Sequence, residues 1–84
     1  MSLEQLGLRP GHPVRFRRPG EGRWHEGVAT GIEKDGSLSI RDGKGSARAM
    51  PIALVEVRAA GARGAAIWEP LSERAARVEQ LRLL

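Results

Sequence analysis

The chain contains no cysteine and no tyrosine, and one phenylalanine beside two tryptophans. Without cysteine there is no disulfide and no thiolate metal site, so a reducing compartment suits it and the cytoplasm is the expected location. Three aromatics are too few for an aromatic cage around a methylated lysine. The missing tyrosine argues against the aromatic groove that binds proline-rich peptides. No apolar run approaches the roughly 18–20 residues that a membrane span needs, so no membrane partner is expected. Residues 1–10 show no charged region leading into an apolar core, so no secretory signal is expected either.

What is present is a short, basic chain. Its 84 residues carry a formal net charge of +4. That length suits one small domain with a modest core, stabilised by barrel closure or added packing. The charge is uneven. Residues 1–24 hold five Arg against two Glu, whereas residues 25–60 are balanced. Arg15, Arg17, Arg18 and Arg23 lie close together in sequence, and a basic stripe is what attraction to phosphate requires. The plainer reading is a solvated basic face. Twelve of the fourteen basic residues are Arg, and Ala and Gly are abundant, a pattern that a GC-rich coding sequence also produces.

The strongest local signal is residues 27–40. Val28, Ile32, Leu38 and Ile40 are apolar, and Asp35-Gly36 between two β-like runs predicts a hairpin with φ > 0 at both turn residues. Residues 14–18 alternate, with Val14 and Phe16 inward and Arg15 and Arg17 outward. Residues 23–33 are long for one strand. Trp24, Glu26, Val28, Thr30 and Ile32 share one parity, so a bulge near Gly27 is expected to switch faces. Residues 37–42 and 46–50 read as two further strands joined by a turn at residues 42–45. Pro51 lacks the donor to continue a ladder, so residues 51–54 read as a 3₁₀ connection, and residues 55–58 close the set.

Five short strands, a long bent second one and a helical turn before the last predict an all-β, SH3-like barrel, with an OB-like barrel as the alternative. Residues 1–10 are expected to be an N-terminal extension. Within it, Ser2 would cap a short turn and Leu3, Leu6 and Leu8 would make apolar contacts. Residues 11–58 are the barrel and residues 59–67 an Ala/Gly linker. Residues 68–84 form an amphipathic helix, with Trp68 anchoring it to the barrel. Leu71, Ala75, Val78 and Leu81 form its apolar stripe, and Glu73 and Arg77 are spaced for an i,i+4 pair. A helix of three to four turns is marginal alone, so this stripe must pack on the barrel, a second copy or a partner.

Gly11-x-x-Val14-Arg-Phe, Gly27-Val-Ala-Thr-Gly-Ile32, Asp35-Gly-Ser-Leu38 and Val55-Glu-Val-Arg58 together resemble the small C-terminal SH3-like domain of biotin protein ligases. The resemblance covers residues 11–58 and implies the fold. It does not imply ligase activity, because no Gly-Arg-rich adenylate-binding loop is present and Gly61-Ala-Arg-Gly64 lacks the second Arg.

Little in the sequence suggests catalysis, and no cofactor or metal is expected. His12 and His25 are separated by a loop, and Glu26 follows His25 directly, so the two point to opposite faces of a strand. Ser37, Ser39, Ser46 and Ser72 have no local base. Gly43-Lys44-Gly45 lacks the full phosphate-loop pattern and reads as a turn. The expected function is therefore a non-enzymatic binding module. Arg15, Arg17, Arg18 and Arg23 would contact nucleic-acid phosphates, and Trp24 would stack a base. The alternative is a protein-interaction or dimerisation module acting through Leu71, Ala75, Val78 and Leu81. A small oligomeric enzyme is a third reading and would need a polar cleft or pore.

Overall fold

Val14 and Phe16 alternate with Arg15, and in the computed structural model, which describes residues 1–82, they lie on strand β1 (Pro13–Phe16) with both apolar side chains buried. The chain continues through β2 (His25–Ile32), β3 (Leu38–Asp42), β4 (Ala47–Met50), β5 (Val55–Ala60) and β6 (Ala66–Pro70) to one helix, α1 (Leu71–Arg82). Short 3₁₀ turns occupy Glu4–Leu6, Ile52–Leu54 and Ala62–Gly64. The strands form one sheet in the order β4-β3-β2-β1-β5-β6. All neighbouring strands are antiparallel.

This corrects the expected five-stranded closed barrel. The first five strands appear, with a 3₁₀ turn before the fifth. The sheet is nevertheless open, with β4 and β6 as its two edges. The sixth strand comes from the segment expected to be a linker and the start of a helix. β5 runs on to Ala60, the chain turns, and β6 pairs back with Arg58 opposite Trp68 and Val57 opposite Glu69. The helix accordingly starts at Leu71 rather than at residue 68. The part of the expected helix at residues 83–84 lies outside the described residues.

Turn chemistry fixes the register of the hairpins. Gly36 donates to the Glu33 carbonyl and Glu33 to the Ser37 carbonyl, and Gly45 and Asp42 repeat the arrangement with Asp42 and Ser46 as acceptors. Gly36 and Gly45 have φ of +90° and +84°, the left-handed residue that closes a three-residue hairpin. Asp35 keeps negative φ, so only one of the two expected residues is left-handed. Its carboxylate instead accepts from the Ser37 N–H.

β2 serves two partners. His25 to Val28 pair with β1, and Gly27 to Ile32 pair with β3. The register shifts between Ala29 and Gly31, which puts the bulge at Thr30 rather than near Gly27. Ala29 and Ile32 can therefore both face inward, opposite Ile40 and Leu38. Gly27 is required for a different reason. A Cβ there would lie 2.5 Å from the Arg41 carbonyl oxygen and 2.9 Å from Ile40 Cγ2.

The core sits between the inner face of the sheet, α1 and the N-terminal turn. Leu3, Leu6 and Leu8 are buried in it, so residues 1–10 are an integral part of the domain rather than an extension. Ser2 and Gln5 exchange hydrogen bonds in a reciprocal cap of that turn. Leu71 and Ala75 are buried in the same core, and Val78 packs against it. Three of the four residues expected to meet a partner are thus engaged internally. Only Leu81 is free, at 70% exposure. Among the described residues, no helix is long and apolar enough to cross a membrane.

Candidate functional site

The two faces of the sheet carry different chemistry. Alternation turns Val14, Phe16, Val55 and Val57 inward, and leaves Arg15, Glu56 and Arg58 on the outer face. β6 adds Trp68 to that outer face, directly opposite Arg58. The loop between β1 and β2 brings Trp24 onto the same side, on the parity of Glu26, which lies opposite Arg15.

The result is a ladder of alternating cations and rings. Arg17 lies over Trp24, with its guanidinium carbon 4.4 Å from the ring centroid. Arg15 lies over the same ring at 4.2 Å and over Trp68 at 5.0 Å. Arg58 lies over Trp68 at 5.1 Å. Each such contact at a surface is worth about 0.5–1 kcal/mol. The guanidinium groups cover part of each ring, and the two tryptophans sit half-buried on a solvent-facing sheet.

The arginines of this ladder differ in charge balance. Arg15 is half-buried and donates through both Nε and Nη2 to Glu56, with the Nε contact at 2.7 Å. Its charge is answered within the fold. Arg17 and Arg58 are exposed, and among the described residues no carboxylate bridges to either. The same holds for Arg18 and Arg23, which lie on the loop between β1 and β2 outside the ladder.

Of the five residues expected to contact nucleic acid, the structure brings Arg15, Arg17 and Trp24 together. Arg18 lines a groove with Arg17, Pro19, Gly20 and Leu54. Arg23 faces a groove of about 480 Å³ between Trp24 and the turn joining β3 to β4. Sequence reasoning missed Arg58 and Trp68. The expectation that Trp68 anchors the helix fails because Trp68 lies on the face away from α1, while its neighbour Glu69 points inward. The available signal was the pair Ile67-Trp68 just past Gly61 and Gly64, two glycines suited to a turn.

Glu69 builds a second arginine cluster on the helix side. It accepts from Arg74 at 3.0 Å and also from Arg77, and Arg74 donates to the Leu6 carbonyl at 3.1 Å. Burial pushes the Glu69 carboxyl up, but the two arginines outweigh it and hold its pKa below the usual carboxylate range. On the β3–β4 turn, the hydrogen bond from Arg48, followed by that from the Ser46 N–H, lowers the Asp42 pKa. Among the described residues, no group of three His, Asp or Glu side chains is arranged to hold a metal ion.

Comparison of the chain with protein-family models, with curated proteins and with solved structures finds no match.

Proposed function

We propose that this chain is a small, non-enzymatic binding module that contacts nucleic acid through the outer face of its sheet. The observation that carries the reading is the Arg17–Trp24–Arg15–Trp68–Arg58 ladder. Its two end arginines are exposed and, among the described residues, unbalanced by carboxylate, so their donors are available to phosphate oxygens. Immobilising a free arginine side chain costs up to about 2 kcal/mol of rotamer entropy. Stacking on tryptophan orders part of each side chain before any ligand arrives, which lowers that cost. Arg15, with its charge taken by Glu56, positions the two rings rather than the ligand.

This reading differs from one in which Trp24 is an open stacking platform. A base approaching Trp24 competes with both Arg15 and Arg17 for the ring. The module therefore works by ordered guanidinium groups at this face, and their planes offer both charge and a stacking surface. A protein partner captured through the helix is less well supported, since Leu71 and Ala75 are buried in the core.

The test is a titration against labelled RNA and DNA oligonucleotides at several salt concentrations. Arg17→Glu and Arg58→Glu should each weaken binding to all sequences alike. Each should also reduce the slope of log affinity against log salt by about 1. Variants that bind like the wild type, with the same slope, would refute the reading.

A further inference from the structure

A second aromatic face is open where the tryptophans are not. His25 stands opposite Phe16 in the β1–β2 register, and the two rings stack with centroids 5.6 Å apart and planes 25° apart. Phe16 is buried, so it backs one face of the imidazole. The His25 side chain remains 44% exposed and lines the groove of about 480 Å³ beside Trp24. That volume falls in the range of small-ligand sites, about 300–1,000 Å³.

The cations around this groove are divided between used and unused. Arg48 is tied to Asp42 at 2.8 Å. Arg23 enters from the loop before Trp24, and Lys44 from the tip of the β3–β4 turn. Among the described residues, no carboxylate bridges to either. Glu21 lies 3.6 Å from His25, and Glu26 also lines the groove. The groove thus offers a backed aromatic face and, at its borders, two cations without a carboxylate partner among the described residues.

We infer that this groove takes one unpaired nucleobase of a single-stranded nucleic acid, stacked on His25 with the flanking phosphates on Arg23 and Lys44. The inference rests on the reading of the outer face as a nucleic-acid surface and specifies the form of the strand. A base inside a duplex has both faces covered by its neighbours and cannot reach the imidazole. RNA and DNA share the required chemistry, because stacking and phosphate contact do not depend on the 2′-hydroxyl.

Fluorescence anisotropy with a labelled ten-nucleotide single-stranded RNA, the DNA of the same sequence and a blunt DNA duplex of that length tests it on the full chain. Both single strands should bind more tightly than the duplex. His25→Ala should weaken single-strand binding about tenfold, within the range for loss of one stacking contact, and leave duplex binding unchanged. His25→Phe should restore it, since an aromatic face is kept without the ring nitrogens. Lys44→Glu, on an exposed turn, should weaken single-strand binding without touching the core. A 2′-hydroxyl contact would appear as a difference between the RNA and DNA arms that survives His25→Ala. If His25→Ala binds single strands like the wild type, or loses duplex binding equally, the groove is not the site, while dependence on Arg17 would leave the outer-face reading standing. No binding of the wild type to any of the three probes overturns both.

Discussion

The β5–β6 hairpin carries arginine clusters on its two faces, and they spend their charge differently. On the inner side, Arg74 and Arg77 converge on one carboxylate, Glu69, which is 12% exposed. On the outer side, Arg17 and Arg58 rest on tryptophan rings and, among the described residues, meet no carboxylate. The first arrangement consumes charge to fasten α1 and the N-terminal turn to β6. The second orders the guanidinium groups and leaves their charge for a ligand. A cation held by a ring keeps its net charge and its donors, whereas one held by a carboxylate has its charge offset and part of its donors occupied. The two faces should therefore respond to mutation in opposite ways, stability on one and binding on the other.

The helix side should show the largest effects on folding. Leu71→Ala removes a fully buried side chain where α1 meets the core and should cost about 3 kcal/mol in urea denaturation. Glu69→Gln leaves Arg74 near the interior without its counter-charge, with Arg74 Nε already unpartnered, and should cost about 2 kcal/mol. Because folding lowers the Glu69 pKa, its contribution is present above the ordinary carboxylate range. It is lost as pH falls through that range toward the lowered value. Denaturation at descending pH should show the wild type losing stability there, and Glu69→Gln lacking that part of the loss.

The outer face should show smaller folding effects and larger binding effects. Trp68→Ala removes the ring between Arg15 and Arg58, and with it two cation–ring contacts, and should cost about 1–2 kcal/mol in stability. It should nevertheless weaken nucleic-acid binding, because Arg58 loses its support. A Trp68→Ala protein that unfolds as readily as Leu71→Ala would break the distinction between the two faces.

The sequence reports some of this architecture directly. Val14-Arg-Phe alternates cleanly because β1 has one buried and one wet face. Asp-Gly and Lys-Gly mark the two hairpin turns by the conformation they allow. Arg15, Arg17 and Trp24 gather as their spacing suggests, since Arg15 and Arg17 share a face and the loop returns Trp24 to it. β6 was hidden for a physical reason. Its hydropathy is inverted, with the acidic Glu69 inward on Arg74 and Arg77 and the aromatic Trp68 outward between Arg15 and Arg58. A strand stabilised by arginines on both faces shows no apolar-in, polar-out period. The flanking Ala and Gly, weak strand formers, then made the segment resemble a linker. Arg58 could not be joined to the Arg15–Trp24 stack from sequence, because it connects to it only through Trp68 and the strand order β1-β5-β6. The bulge falls at Thr30 rather than near Gly27 because the register with β3, which no local pattern shows, decides where the extra residue sits.

The most direct test of the central claim is the salt dependence of wild-type binding to a labelled single-stranded oligonucleotide, with the protein's mass checked by light scattering in the same buffers. An outer face that offers Arg17 and Arg58 to phosphates predicts measurable binding at low salt. It also predicts that log affinity falls linearly with log salt, with a slope of about −0.7 for each phosphate contacted. An affinity that stays constant as salt is raised, or no binding even at low salt, would contradict it.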